Sequence, residues 1–137
     1  MKRKLSLLLA MIFVVISTQS AVILADDISL YNNNTMTTAT YFGISSSGLA
    51  TVLLDFEGYP NITTGATITI KIEKRNFLLF WSDVVDETIS VVGDSYYKEH
   101  YYQLEDTGTY RCTVVYTVSG TGGADDVIPF EDTAKYE

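Results

Sequence analysis

Ala66-Thr67-Ile68-Thr69-Ile70-Lys71-Ile72-Glu73 alternates apolar and polar residues without a break. A period of two over eight residues marks a half-buried β-strand, because successive side chains of a strand point to opposite faces. Upstream, Ala50-Thr51-Val52-Leu53-Leu54-Asp55-Phe56-Glu57 repeats the pattern, with Ala50, Val52, Leu54 and Phe56 on one face. Downstream, Thr109 to Val118 gives Tyr110, Cys112, Val114, Tyr116 and Val118 a common inner face. Thr88 to Val92 and the tyrosine-rich Tyr96 to Leu104 read as further strands, and Phe77-Leu78-Leu79-Phe80-Trp81 as a strand apolar on both faces. Gly58-Tyr59-Pro60-Asn61, Thr64-Gly65 and Lys74-Arg75-Asn76 supply turn chemistry between them. Gly120 to Asp126 is a loop, and Val127 to Lys135 reads as an edge strand because Pro129 cannot donate to a central ladder. About seven short strands and no helical period predict an all-β fold, an antiparallel β-sandwich, with a closed barrel as the alternative.

The chain opens on Met1-Lys2-Arg3-Lys4 and the apolar run Leu5 to Ile16, which is too short to span a bilayer and suits a signal peptide. Ala25 supplies the small residue that a signal peptidase needs; Ser20 or Ala21 is the second choice, and an uncleaved anchor is the competing reading. The expected organisation is a signal peptide helix over 1–25, a flexible N-terminal tail over 26–34 and the sandwich over 35–137. The protein is therefore expected to be secreted and extracellular.

Removing Lys2, Arg3 and Lys4 takes three of nine basic residues and none of the seventeen acidic ones, so the net charge falls from −8 to −11. Such an acidic domain repels polyanions, which makes nucleic acid and anionic membrane surfaces poor partners, and no membrane partner is expected after signal cleavage. Cys112 is the only cysteine, so no intramolecular disulfide can form and packing alone must hold the domain.

Leu104-Glu105-Asp106-Thr107-Gly108-Thr109-Tyr110-Arg111-Cys112 resembles the immunoglobulin-fold signature at the entry to strand F. The resemblance implies an immunoglobulin-like sandwich with a structural tyrosine corner made by Asp106, Gly108 and Tyr110, whose hydroxyl would return to the backbone of the preceding turn. It also implies Trp81 as the core tryptophan. Leu54 stands where an antibody-type domain would carry its second cysteine. Over its length the chain is also similar to a family of small secreted Gram-positive bacterial proteins known as a domain of unknown function. The likeness lies in the signal peptide, Gly48 to Phe56, Ile68 to Glu73, Phe77 to Val85, Gly108 to Val118 and the Gly-rich hairpin. It implies export and a sandwich, and brings no catalytic role.

His100 is the only histidine, so any nucleophile–base pair would have to run through it. Cys112 falls on an inner face and reads as a small buried hydrophobe, and Gly43-Ile44-Ser45-Ser46-Ser47-Gly48 lacks the Gly-x-Ser-x-Gly spacing. One histidine and one cysteine do not make a zinc site, so no metal ligand, cofactor or catalytic residue is assigned. Asp125, Asp126, Glu131 and Asp132 offer oxygen ligands without the spacing of a calcium loop, and read as a solvated acidic rim beside which calcium is the open question. Tyr96, Tyr97, Tyr101 and Tyr102 are the candidate binding platform. In a regular strand Tyr97 and Tyr101 share one face with Glu99, Tyr96 and Tyr102 the other with His100, so only one pair faces the core and at least two rings are expected to be exposed. The expected function is non-enzymatic: a binding or envelope-associated module that contacts a protein or a cell-wall glycan. A carbohydrate-binding module using the tyrosines, and a small hydrolase with a carboxylate pair, are the alternatives.

Overall fold

The alternation in Ala66–Glu73 makes that segment the spine of a four-stranded sheet, with a strand bonded along each of its edges. The computed structural model describes residues 32–137; the signal peptide, its cleavage point and residues 26–31 of the tail lie outside the described residues. The strands are β1 (Thr35–Ile44), β2 (Leu49–Gly58), β3 (Thr63–Arg75), β4 (Trp81–Val92), β5 (Ser95–Gln103), β6 (Gly108–Gly120) and β7 (Asp126–Tyr136). Their order is β1-β2-β5 in one sheet and β4-β3-β6-β7 in the other, every pairing being antiparallel. Two separate sheets, rather than one closed on itself, make this an immunoglobulin-like β-sandwich and not a barrel.

The core lies between the sheets. Val52, Leu54 and Phe56 from β2 face Ile68, Ile70 and Ile72 from β3 and Cys112, Val114, Tyr116 and Val118 from β6, and each is at most 1% exposed. Burial of one such side chain is worth roughly 1.5–3 kcal/mol, so the three innermost strands carry most of the cohesion. Tyr116 also spans the sandwich, its hydroxyl 2.7 Å from Thr40 Oγ1 on β1. Pro129 lies on β7, an edge of the larger sheet, where a missing amide breaks no interior ladder.

Four sequence expectations are corrected. The flexible tail does not reach Asn34, because Asn33 and Asn34 are tied to Asp126 and Asn34 is fully buried. Thr35–Ile44, which was not read as a strand, is β1; its period is interrupted by a bulge after Thr35, and Phe42 is its one buried large apolar residue. Phe77-Leu78-Leu79-Phe80 is not a strand but the tip of the β3–β4 hairpin, with Trp81 opening β4. Asn76 causes the turn, its Oδ1 accepting from the Leu78 amide at 3.0 Å and the Phe80 amide at 3.1 Å. Thr64-Gly65, read as turn chemistry, sits inside β3 beside a bulge.

Candidate functional site

The strand β5 divides the four tyrosines by pleat. Tyr97 and Tyr101 point away from the core and are 70% and 56% exposed, while Tyr96 and Tyr102 point inward and are partly buried against it. No platform of four rings on one face is formed, because adjacent residues of a strand cannot share a face. The outward pair gains a third member that the sequence did not single out, Tyr41 of β1, 58% exposed. Register explains the grouping: Tyr41 pairs with Leu53 of β2, and Leu53 pairs with Glu99 of β5, midway between Tyr97 and Tyr101. The Tyr41 ring leans along its own strand over Gly43, where a Cβ would collide with the ring's hydroxyl.

Strand spacing sets the scale of this face. Tyr97 and Tyr101 are about 13 Å apart along β5 and Tyr41 stands about 10 Å across two strand intervals, so the three rings mark a triangle. Between them lie Asp55, Leu53 and Glu99, and Tyr101 donates a hydrogen bond to Glu99 Oε2. Aromatic rings with carboxylates interleaved on an exposed sheet present apolar faces and acceptors together.

Tyr96 and Tyr102 do different work. Tyr96 Oη lies 3.0 Å from His100 Nε2, His100 Nδ1 lies 3.9 Å from Glu87 Oε1, and Tyr102 donates to Glu87 Oε2. Glu87 belongs to β4 and the other three to β5, so the chain of contacts straps the two sheets together along an edge that no backbone ladder joins. Burial holds the His100 imidazole below its ordinary pKa, partly offset by the Glu87 charge, and leaves it neutral at pH 7. Burial and the bond to Glu87 push the Tyr102 phenol well up. The Tyr96 hydroxyl is likewise raised by burial, the opposite of an activated nucleophile.

The remaining singled-out residues are structural. Cys112 is fully buried, and burial pushes its thiol up to about 12, so it is neither a nucleophile nor a thiolate ligand. Tyr110 is buried and donates to the Asp106 carbonyl oxygen at 2.6 Å; Gly108, two residues before it, has φ +148, a conformation side chains resist. Trp81 is not the core tryptophan. It lies on the outer side of the larger sheet with the Arg111 guanidinium 4.4 Å from its ring centroid, and Arg111 in turn donates to Glu73 Oε2 from Nε at 2.9 Å and Nη2 at 2.6 Å.

Asp126 also departs from the acidic rim. It is 7% exposed, and its carboxylate accepts from the Asn33 amide, the Asn34 amide and the Thr35 hydroxyl, each at 2.8 Å. Its oxygens are therefore committed to closing the N-terminal entry and not to calcium. The Asn34 side chain bonds Ala124 O at 3.0 Å and the Gly122 amide at 3.1 Å, which explains the Gly-rich loop: a Cβ at Gly122 would collide with the Asn33 carbonyl oxygen. Among the described residues no three or more histidine, cysteine or acidic side chains gather where they could hold a metal ion.

No family model matches the chain, and no curated protein does. Three solved chains show a distant likeness, among them two from named proteins. One is the CARDB domain of a Pyrococcus furiosus protein, itself solved in complex with di-metal ions: 14% identity, TM-score 0.45, covering 78% of this chain and 98% of that one. The other is the β-glucuronidase of Parabacteroides merdae: 10% identity, TM-score 0.42, covering 74% of this chain and 13% of that one.

Tyr41 is the residue that sequence reasoning missed. Its signal is present in the alternation of Tyr41 with Phe42, but only the β1–β2–β5 register assigns it to the same face as Tyr97 and Tyr101.

Proposed function

We propose that this chain is an exported, non-enzymatic binding module that meets its partner through the outer face of the three-stranded sheet. The observation that carries the reading is the convergence of Tyr41, Tyr97 and Tyr101, all more than half exposed, on that one face. Exposed aromatic rings on a rigid sheet bind at low cost in side-chain ordering. The carboxylates of Asp55 and Glu99 between them offer acceptors to sugar hydroxyls, and the ring spacing fits separated sugar units of one strand. Cell-wall glycan is therefore the favoured partner, ahead of a protein. Export is supported by the charged and apolar pattern of residues 1–16 and by the resemblance to small secreted proteins. The non-enzymatic part rests on the only histidine and the only cysteine both being drawn into structural roles.

The test is retention of the chain from Asp26 onward by insoluble cell-wall glycan. The double variant Tyr97→Ser/Tyr101→Ser should keep its stability within about 0.5 kcal/mol, as surface changes do, while losing most of its retention. Unchanged retention by a folded double variant would sink the reading, and retention by a surface protein in place of glycan would move the face to the protein-binding class.

A further inference from the structure

The β3–β4 hairpin ends in four consecutive large apolar residues that no other described residue covers. Phe77 is 90% exposed, Leu78 58%, Leu79 65% and Phe80 66%. A soluble domain hides such residues when it can, and a contiguous patch at a protruding tip marks a contact. We propose that this tip is a membrane wedge: a lipid-inserting loop that seats the sandwich on the interface of a bilayer.

Three observations select lipid over a protein groove. The first is backbone chemistry. Entry into hydrocarbon is barred to amides that lack an internal acceptor. At this tip the Asn76 amide bonds Phe80 O at 2.9 Å, the Leu79 amide bonds Asn76 O at 3.0 Å, and Asn76 Oδ1 takes the Leu78 and Phe80 amides. One asparagine at the base thus takes three of the four amides from Phe77 to Phe80, and no polar side chain lies between Phe77 and Phe80.

The second is charge. In a chain with seventeen acidic and nine basic residues, the stretch from Lys74 to Ser82 carries Lys74 and Arg75 and no acid. Arg75 is exposed at the root of the tip, and Lys74 beside it is bonded to Asp106 at 3.1 Å. Cations and a tryptophan set directly behind an apolar wedge lie where headgroups would meet them. The acidity of the whole domain works against tight adsorption to an anionic surface, so the apolar insertion must supply most of the attraction and Arg75 a smaller share.

The third is strain. Leu79 has φ +66, a left-handed conformation in which glycine or asparagine sits at lower cost. The position holds a leucine, an exposed apolar side chain that the turn itself does not need.

The protein supplies its own probe, since Trp81 adjoins the tip and is the only tryptophan. The chain from Asp26 onward is used, because residues 32–137 contain all seven described strands and the described core, and the apolar run 5–16 would itself bind lipid. It is mixed with vesicles of phosphatidylcholine, alone and with phosphatidylglycerol, and binding is read by co-sedimentation and by quenching of Trp81 with brominated phosphatidylcholine. The expected results are partitioning to both vesicle types, Trp81 quenching, and at least a roughly tenfold loss of partitioning in Phe77→Ser/Leu78→Ser. Arg75→Gln should weaken binding only to the phosphatidylglycerol vesicles, by about fivefold. Leu79→Gly separates a wedge from a folding element, because it relaxes the backbone and removes the side chain: melting should hold or rise while partitioning falls. Absence of partitioning, partitioning that these folded variants leave unchanged, or a lipid-free self-association that Phe77→Ser/Leu78→Ser abolishes would each overturn the wedge, the last assigning the tip to a protein contact.

Discussion

Replacing Asp126 with asparagine should be among the most damaging single-atom changes available in this domain. The carboxylate takes three donors, two on Oδ2 (the Asn34 amide and the Thr35 hydroxyl) and one on Oδ1 (the Asn33 amide). An asparagine can place its one oxygen at the Oδ2 position, which puts its NH₂ against the Asn33 N–H, donor to donor. Leaving one part-buried donor unpaired costs about 1–3 kcal/mol, and the two retained bonds lose the charge that roughly doubles their strength, so the total is about 2–4 kcal/mol. For a domain of this size that is a fall in Tm on the order of 10–20 °C. The pH dependence gives a second handle. Burial alone would raise the Asp126 pKa, but the Asn34, Asn33 and Thr35 donors outweigh it and hold the group below the ordinary aspartate value of 3.8. A depressed folded pKa means that the stabilisation is fully present above the ordinary value and is lost as pH falls through the folded one. Urea unfolding of both proteins at pH 7 and at stepwise lower pH should show the gap narrowing below about pH 4. A gap under 0.5 kcal/mol at pH 7 on the roughly ±0.5 kcal/mol scale of ordinary surface changes, or one that does not narrow on acidification, would refute the argument.

Tyr110→Phe removes the bond to the Asp106 carbonyl while keeping the buried ring, and should cost about 1 kcal/mol in chemical denaturation; an unchanged midpoint would mean the corner contributes nothing. Cys112, buried and with its thiol pushed up to about 12, should resist a thiol reagent at pH 8 in the folded protein and react promptly in denaturant. Fast labelling of the native state would show that the β6 face opens.

The central strands were legible in the sequence because they are buried on one face and solvated on the other, so β2, β6 and the stretch Ala66–Ile72 of β3 print their burial as alternation. The same rule failed at the margins for identifiable reasons. The inward side of β1 is mostly threonine, which carries little apolar contrast. The run Phe77–Phe80 is apolar without being buried, and composition cannot distinguish a covered strand from an uncovered tip. Asp126 looked like any other surface carboxylate because its three donors come from residues more than ninety positions away. Tyr97 and Tyr101 could be paired from pleat alone, whereas Tyr41 required a cross-strand register, and the diversion of Tyr96 and Tyr102 to the inter-sheet strap depended on Glu87 of β4, which the sequence did not connect to them.

The tie between residues 33–35 and Asp126 also has a kinetic side. It closes sequence separations of 91 to 93 residues, among the longest the described chain permits. Loops of that length are slow to close, and contacts across them form after local hairpins have already condensed. A ribosome delivers this protein N-terminus first, so β1 can pair with β2 early, yet Asn33, Asn34 and Thr35 wait for their acceptor until nearly the whole chain has emerged. The final cap on the sandwich is thus a checkpoint on completeness: a chain truncated before Asp126 could build much of the core and still leave its first buried amides without a partner.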